Sequence, residues 1–205
     1  MGRRAELVDE TRLRITEAAV RLHTTVGPAN TSIASIAEEA GVTRLTVYRH
    51  FADLDALFAA CTAHWDAQNP RPDATLWSAI PDLEPRARRA FEAIYGWHRD
   101  HAEAMAPIHR DVAALPETAR RALAAEDEIL AGTIVGGETD PPADDRRLQR
   151  AMAGHLVRFP TWRSLVVEQG LDQSEAVDLA VRALSGVAPS SPESFRRVAP
   201  RRPRP

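Results

Sequence analysis

Residues 31–57 read TSIASIAEEAGVTRLTVYRHFADLDAL, and the spacing inside that run limits the fold more tightly than any other feature of the chain. With Ile33 as the first position, Ala37, Gly41 and Val47 fall at the fifth, ninth and fifteenth. A small residue at the fifth lets two helices cross closely. Glycine at the ninth supplies the left-handed backbone of a tight turn, and a branched residue at the fifteenth plugs the second helix onto the first. Ile36, Ala40 and Val42 complete the inner side. Thr31 and Ser32 stand where a hydroxyl accepts a first-turn amide of a helix over 33–40, and Thr43 where it caps one over 44–51. The run is predicted to be a helix-turn-helix.

The rest of the chain agrees with an all-α fold: there are ten glycines and few aromatics, and no run alternates apolar and polar residues long enough for a strand. Over 10–26 the residues Leu13, Ala18, Val20, Leu22 and Val26 predict a first helix, stopped by Gly27-Pro28. Asp53 caps a fourth that runs through Leu57, Phe58 and Trp65. After the break at 69–72, helices are predicted over 86–104, 117–130, 146–157, 162–168 and 176–187. Pro107 kinks or restarts the chain, Pro160 interrupts it, and Asp172 and Glu175 stand at capping-box spacing. The expected organisation is an N-terminal three-helix helix-turn-helix domain over 1–58 and a C-terminal helical domain over 59–188. A tail over 189–205 with five prolines and five arginines is too poor in apolar residues to order itself.

Composition excludes several classes. One cysteine, Cys61, cannot make an internal disulfide. The first ten residues lack an apolar signal core, and no window approaches a membrane span, so a cytoplasmic protein with no membrane partner is expected. All 26 basic residues are arginine, which reads as codon bias before mechanism, and the net charge is −3. A nucleic-acid role must therefore come from local placement.

Advancing 100° per residue from Arg44 turns Val47 and Phe51 inward and Tyr48 to the flank, while Leu45, Thr46, Arg49 and His50 point outward. A helix seated in a major groove needs side chains that reach base edges, others that bond phosphate, and an apolar group for a thymine methyl. Arg49, Thr46 and Leu45 meet the first and last needs, and Thr43, Tyr48 and His50 the second. A plain helical hairpin that only packs would not need Arg49, Thr46 and His50 beside that capping pattern.

Residues 12–58, above all the Gly-Val-Thr turn followed by Thr-Val-Tyr-Arg-His-Phe, resemble the DNA-binding domain of the TetR family of bacterial transcriptional regulators. The run RFPTWRSLVVEQGL over 158–171 and the final helix resemble a common branch of it, less specifically. The resemblance implies that the first three helices bind double-stranded operator DNA, that later helices enclose a small-molecule effector of unknown identity, and that the last two helices form a homodimer. By position it implies phosphate contacts from Thr43, Tyr48 and His50 and groove contacts from Arg44, Leu45, Thr46 and Arg49, with Ser32 in the same DNA-binding set. The chain departs from the family pattern at Leu54, where a basic residue is usual, and at His23, where phenylalanine is common and a half-buried histidine is expected.

The stripe Phe91, Ile94, Tyr95, His98 and Met105 is first a core face, and with Trp65 it is also the expected effector pocket. Leu156, Leu165, Val177, Val181 and Leu184 are the expected dimer contacts. His98, His101 and His109, near Asp100 and Asp111, invite a metal reading, but no third ligand is fixed by the spacing, so neither metal nor cofactor is expected. No nucleophile elbow, His-Glu-x-x-His or phosphate-binding loop occurs, and an enzyme is not expected. A helical binder or enzyme with an unused reading domain, and a protein-interaction adaptor, remain the competing readings.

Overall fold

The computed structural model describes residues 2–136 and 143–187. Eleven α-helices occur among them: α1 Gly2–Thr25, α2 Ile33–Glu39, α3 Arg44–His50, α4 Leu54–Gln68, α5 Thr75–Ser78, α6 Leu83–Asp100, α7 Ala102–Arg110, α8 Glu117–Val135, α9 Ala143–Leu156, α10 Phe159–Arg163 and α11 Gln173–Ser185. No strand occurs among the described residues. The expected tail, and the loop residues 137–142, lie outside them.

Helix α1 starts eight residues earlier than its sequence pattern predicts, and its inner face is the predicted one only in part: Ala18 is buried and Val20 and Leu22 pack against the core. Ile15, Ala18, Ala19 and His23 are buried, whereas Leu13 and Val26 are exposed. The buried set follows an i, i+3, i+4, i+8 spacing, the period of one helical face. Gly27 then leaves the helix at φ 93°.

Helices α2 and α3 are joined as the spacing predicts. Ser32 and Ser35 form a reciprocal capping box. At the other end Gly41 takes φ 65°, and the amides of Gly41 and Val42 donate to the carbonyls of Glu38 and Ala37 at 3.1 and 2.9 Å. These two bonds are the paired closure of a Schellman turn, which needs a left-handed residue at Gly41's place. Thr43 accepts the Thr46 amide at 3.2 Å and so caps α3. Ala37, Val47 and Phe51 are almost fully buried, in one apolar cluster with Ile15, Leu57 and Cys61.

A second cluster joins α5 to α11. Its centre is α6, with Phe91, Ile94 and Tyr95 buried against α11 and the end of α9. The break after α6 falls at His101, not at Pro107. His101 turns its Nδ1 to the Trp97 carbonyl at 2.8 Å, satisfying a helix-end acceptor by side chain. Pro107 is carried inside α7. Pro85 sits in the first turn of α6, where an amide N–H has no helical acceptor to lose. Arg86, which reads in the sequence as a solvated charge, is buried; it donates to the carbonyls of Ile134, Ile80 and Pro81 at 2.7, 2.6 and 2.6 Å.

Candidate DNA-facing surface and effector cavity

Two regions have the chemistry of sites, and α4 touches both. At the amino end, α3 presents Arg44, Leu45, Tyr48 and Arg49 to solvent, with Thr43 exposed at its cap and Thr46 and His50 half-buried. Leu45 is 69 % and Tyr48 59 % exposed, a large apolar and a large aromatic residue held in water with no partner face in this chain. Ser32 is also exposed, at the start of α2. The eight residues expected to face DNA thus lie on one short helix, its cap and the neighbouring cap.

The far end of α3 is held by a residue the sequence did not point to. Arg12 of α1 donates through Nη1 to the His50 carbonyl and lies with its guanidinium 4.2 Å from the centre of the Phe51 ring. A cation at a helix C-terminus meets the negative end of the backbone dipole, so Arg12 fixes where α3 stops and how it sits on α1. Arg21 and Glu39 pair at 3.0 Å and tie α1 to α2.

Between α1, α4, α7 and α8 lies a cavity of about 250 Å³. Of the six residues expected to line an effector pocket, Trp65 and Met105 border this cavity; Phe91, Ile94, Tyr95 and His98 do not. These four are core. Tyr95 donates its hydroxyl to the Leu156 carbonyl at 3.0 Å, and His98 Nε2 lies 2.9 Å from the Val157 carbonyl. The Tyr95 hydroxyl and His98 Nε2 therefore serve the carbonyls at and just after the end of α9, while His98 Nδ1 is buried with no hydrogen-bond partner among the described residues. The cavity wall uses instead Val20 and His23 of α1, Phe58 and Asp66 of α4, Ile108 of α7, and Leu123 and Glu126 of α8, with Arg71 from the segment after α4.

His23 stacks on Phe58, with ring centres 4.5 Å apart, and burial lowers its pKa to about 4. Burial pushes the Cys61 thiol up to about 12, so the sulfur that also lines the cavity stays protonated and unreactive. Arg71 Nε lies 2.9 Å from Glu126 Oε1 in an ion pair whose angle falls short of a hydrogen bond, and 4.0 Å from Asp66 Oδ1. Burial raises the Glu126 carboxyl above its ordinary range, against the lowering influence of Arg71. Among the described residues no group of three metal-ligating side chains converges, and no helix is long and apolar enough to cross a membrane.

The expected dimer residues are mostly spent within the chain. Val177, Val181 and Leu184 are buried on the side of α11 that packs on α6, Leu156 is buried at the end of α9, and Leu165 is half-buried. A second subunit cannot reach atoms already covered by the first. The large apolar residues left open on these two helices are Leu148 on α9 and Leu179 on α11.

Residues 15–61 match the family model of bacterial regulatory proteins, tetR family. No curated protein matches the chain. Two solved structures share its fold. A TetR-like transcriptional regulator from Rhodococcus sp. RHA1 is 20 % identical at a TM-score of 0.55, covering 85 % of this chain and 93 % of that one. The multidrug binding protein EbrR, complexed with imidazole, is 24 % identical at a TM-score of 0.55, covering 89 % and 93 %.

Proposed function

We propose that this chain, whose residues 15–61 match the tetR family model and whose fold a TetR-like transcriptional regulator shares, is a TetR family regulator: a cytoplasmic homodimer that holds a near-palindromic operator until a small molecule fills the cavity. The observation that carries the reading is the double duty of α4: Leu57 and Cys61 belong to the apolar cluster that seats α2 and α3, while Phe58, Trp65 and Asp66 on the same helix line the cavity. A ligand that moves α4 moves the base of the reading head. In a two-fold dimer the two α3 helices would enter successive major grooves roughly 34 Å apart. A ligand that binds better to a dimer with another spacing draws the population away from DNA. That a structural neighbour is a multidrug binding protein held with imidazole is consistent with a cavity of this kind.

Within the head, Arg44, Leu45, Thr46 and Arg49 are assigned to the groove, and Ser32, Thr43, Tyr48 and His50 to phosphates. Residues 1–58 hold seven arginines against eight carboxylates, so the salt-dependent share of affinity per subunit is modest and base contacts weigh more. The test is a gel shift on the DNA upstream of the protein's own gene. Binding that outcompetes random DNA, weakens with salt and is reversed by a cavity ligand supports the proposal; equal retention of random DNA rejects it.

A further inference from the structure

The charged side chains lining the cavity are Asp66, Arg71 and Glu126; His23, Thr24, Thr62 and Trp65 add neutral polar atoms to an otherwise apolar wall. One guanidinium there stands between two carboxylates, so the group carries a net charge of one electron unit, negative. Arg71 is already committed: it pairs with Glu126 and lies 4.1 Å over the Trp97 ring. Asp66 Oδ1, Trp65 Nε1 and Arg71 Nε itself are buried atoms with no hydrogen-bond partner among the described residues, Asp66 Oδ1 lying 4.0 Å from that Nε. An open acceptor and an open donor at the wall of a cavity are places a ligand's polar atoms would satisfy.

We infer that the cavity takes a small organic monocation, an ammonium or amidinium head bonded to Asp66 Oδ1 with an apolar, ring-sized body against Phe58, Met105 and Leu123. The inference rests on the effector reading above. An anion would meet the surplus carboxylate, and the charge of Arg71 is already set against Glu126 and Asp66. A neutral ligand would leave that charge unanswered. The space amounts to roughly eight waters at ~30 Å³ each, short of the ~300–1,000 Å³ usual for drug-sized ligands, which favours a single ring on a short amine.

Three probes of matched size decide the matter by calorimetry on the full chain: phenethylammonium, 2-phenylethanol and phenylacetate. The ammonium is expected to bind tightest, the alcohol about tenfold or more weaker, and phenylacetate weakest. Asp66→Asn, at a residue whose side chain is 45 % exposed and so tolerant of change, is expected to erase the preference for the ammonium while the alcohol binds as before. Glu126→Gln, which removes the surplus charge from the other side, is expected to do the same; melting curves check that both variants fold. Equal affinity for ammonium and alcohol, tightest binding of phenylacetate, no binding of any probe, or a preference that survives both variants would overturn the inference. Ammonium binding without release of DNA would count against the effector role and leave this inference standing. Release of DNA by the alcohol alone would do the reverse.

Discussion

Asp111 accepts the backbone N–H of Ala29 through Oδ2 at 3.1 Å, fastening the turn after α7 to the turn between α1 and α2. Its neighbour Arg110 reaches across the same gap to the Val26 carbonyl at 2.9 Å and also pairs with Asp111, holding that carboxyl below its ordinary range. A third link lies nearby, where Thr118 of α8 donates to Asp55 of α4. All three join the elements that wall the cavity to the elements that seat α3. Met105 and Ile108, on the helix that leads to Asp111, line the cavity themselves.

Asp111→Ala should therefore separate the two functions. Ligand binding to the free protein should persist, while the ratio of ligand affinities with and without operator falls about fivefold or more toward one. Titrating ligand into free and DNA-bound protein measures that ratio directly. An unchanged ratio would mean that coupling runs through α4 alone.

The same clasp sets the cost of filling Gly27. A Cβ there would stand 2.2 Å from Asp111 Oδ2 and 2.3 Å from Arg110 Nη2, on a backbone at φ 93°, ψ 157° that side chains with a Cβ rarely adopt. Gly41, at φ 65°, has open space where its Cβ would go. Gly27→Ala should destabilise by ~1–3 kcal/mol from the backbone alone, plus the loss of the clasp. Gly41→Ala should cost only the left-handed penalty of ~1–2 kcal/mol. Urea unfolding of the two variants side by side checks the order.

The contrast between head and body shows what a single sequence can carry. The helix-turn-helix was legible because its determinants are local: Ser32 and Thr43 cap, Gly41 turns, and Ala37 and Val47 sit a few residues away on adjoining helices. The cavity was not. Phe91, Ile94, Tyr95 and His98 repeat at the spacing of any inward face, and whether that face meets a ligand or a neighbour depends on the end of α9 and the turn after it, where the carbonyls of Leu156 and Val157 take up the Tyr95 hydroxyl and the His98 ring. Arg86, Arg71 and Arg12 look alike in the sequence as solvated charges, yet one is buried under three carbonyls, one bridges two carboxylates and one caps α3. Each role depends on a partner far along the chain, Ile134 for Arg86, Glu126 for Arg71 and His50 for Arg12, which composition and periodicity do not encode.

On the reading head, Arg49→Ala should lose ~1–3 kcal/mol of operator affinity and relax preference at one base position, because its exposed side chain extends from the outer face of α3. Tyr48→Phe removes a hydroxyl assigned to phosphate and should weaken specific and random DNA alike. Competition binding against single-base operator variants separates the two patterns. Equal losses on all DNA for Arg49→Ala would remove it from base reading.

Acid should unfold the protein in a window that histidines define. Burial lowers His23, His98 and His109 to about 4 from the ordinary 6.5. His98 also feels the positive charges of His109, Arg71 and His101, opposed by its bond to Val157. Below pH 6.5 the unfolded chain takes up protons that the folded chain refuses, so stability falls as pH drops toward about 4. Glu126 and Asp127, held high by burial, work the other way over the carboxylate range. His23→Phe keeps a ring stacked on Phe58 without the proton, and should remove on the order of 1–2 kcal/mol of the loss at pH 5. Urea midpoints at pH 7 and pH 5 provide the measurement; parallel shifts in variant and parent would show that His23 titrates normally.

The last prediction distinguishes a subunit contact from a core contact on the same helix. Helix α11 buries Ala176, Val177, Ala180, Val181 and Leu184, so a partner can meet only its opposite side, where Leu179 is 38 % exposed, and the outer side of α9, where Leu148 is 44 % exposed. A stable pairing needs roughly 800 Å² per subunit with an apolar centre, and a carboxylate at that centre would be desolvated with no partner. Leu148→Glu with Leu179→Glu should therefore give a folded monomer with an unchanged melting profile at low protein concentration. Val181→Glu should instead abolish cooperative unfolding, since that side chain is 1 % exposed between α11 and α6. Sedimentation and melting of both variants test the assignment, and a double variant that remains dimeric would move the interface to other helices.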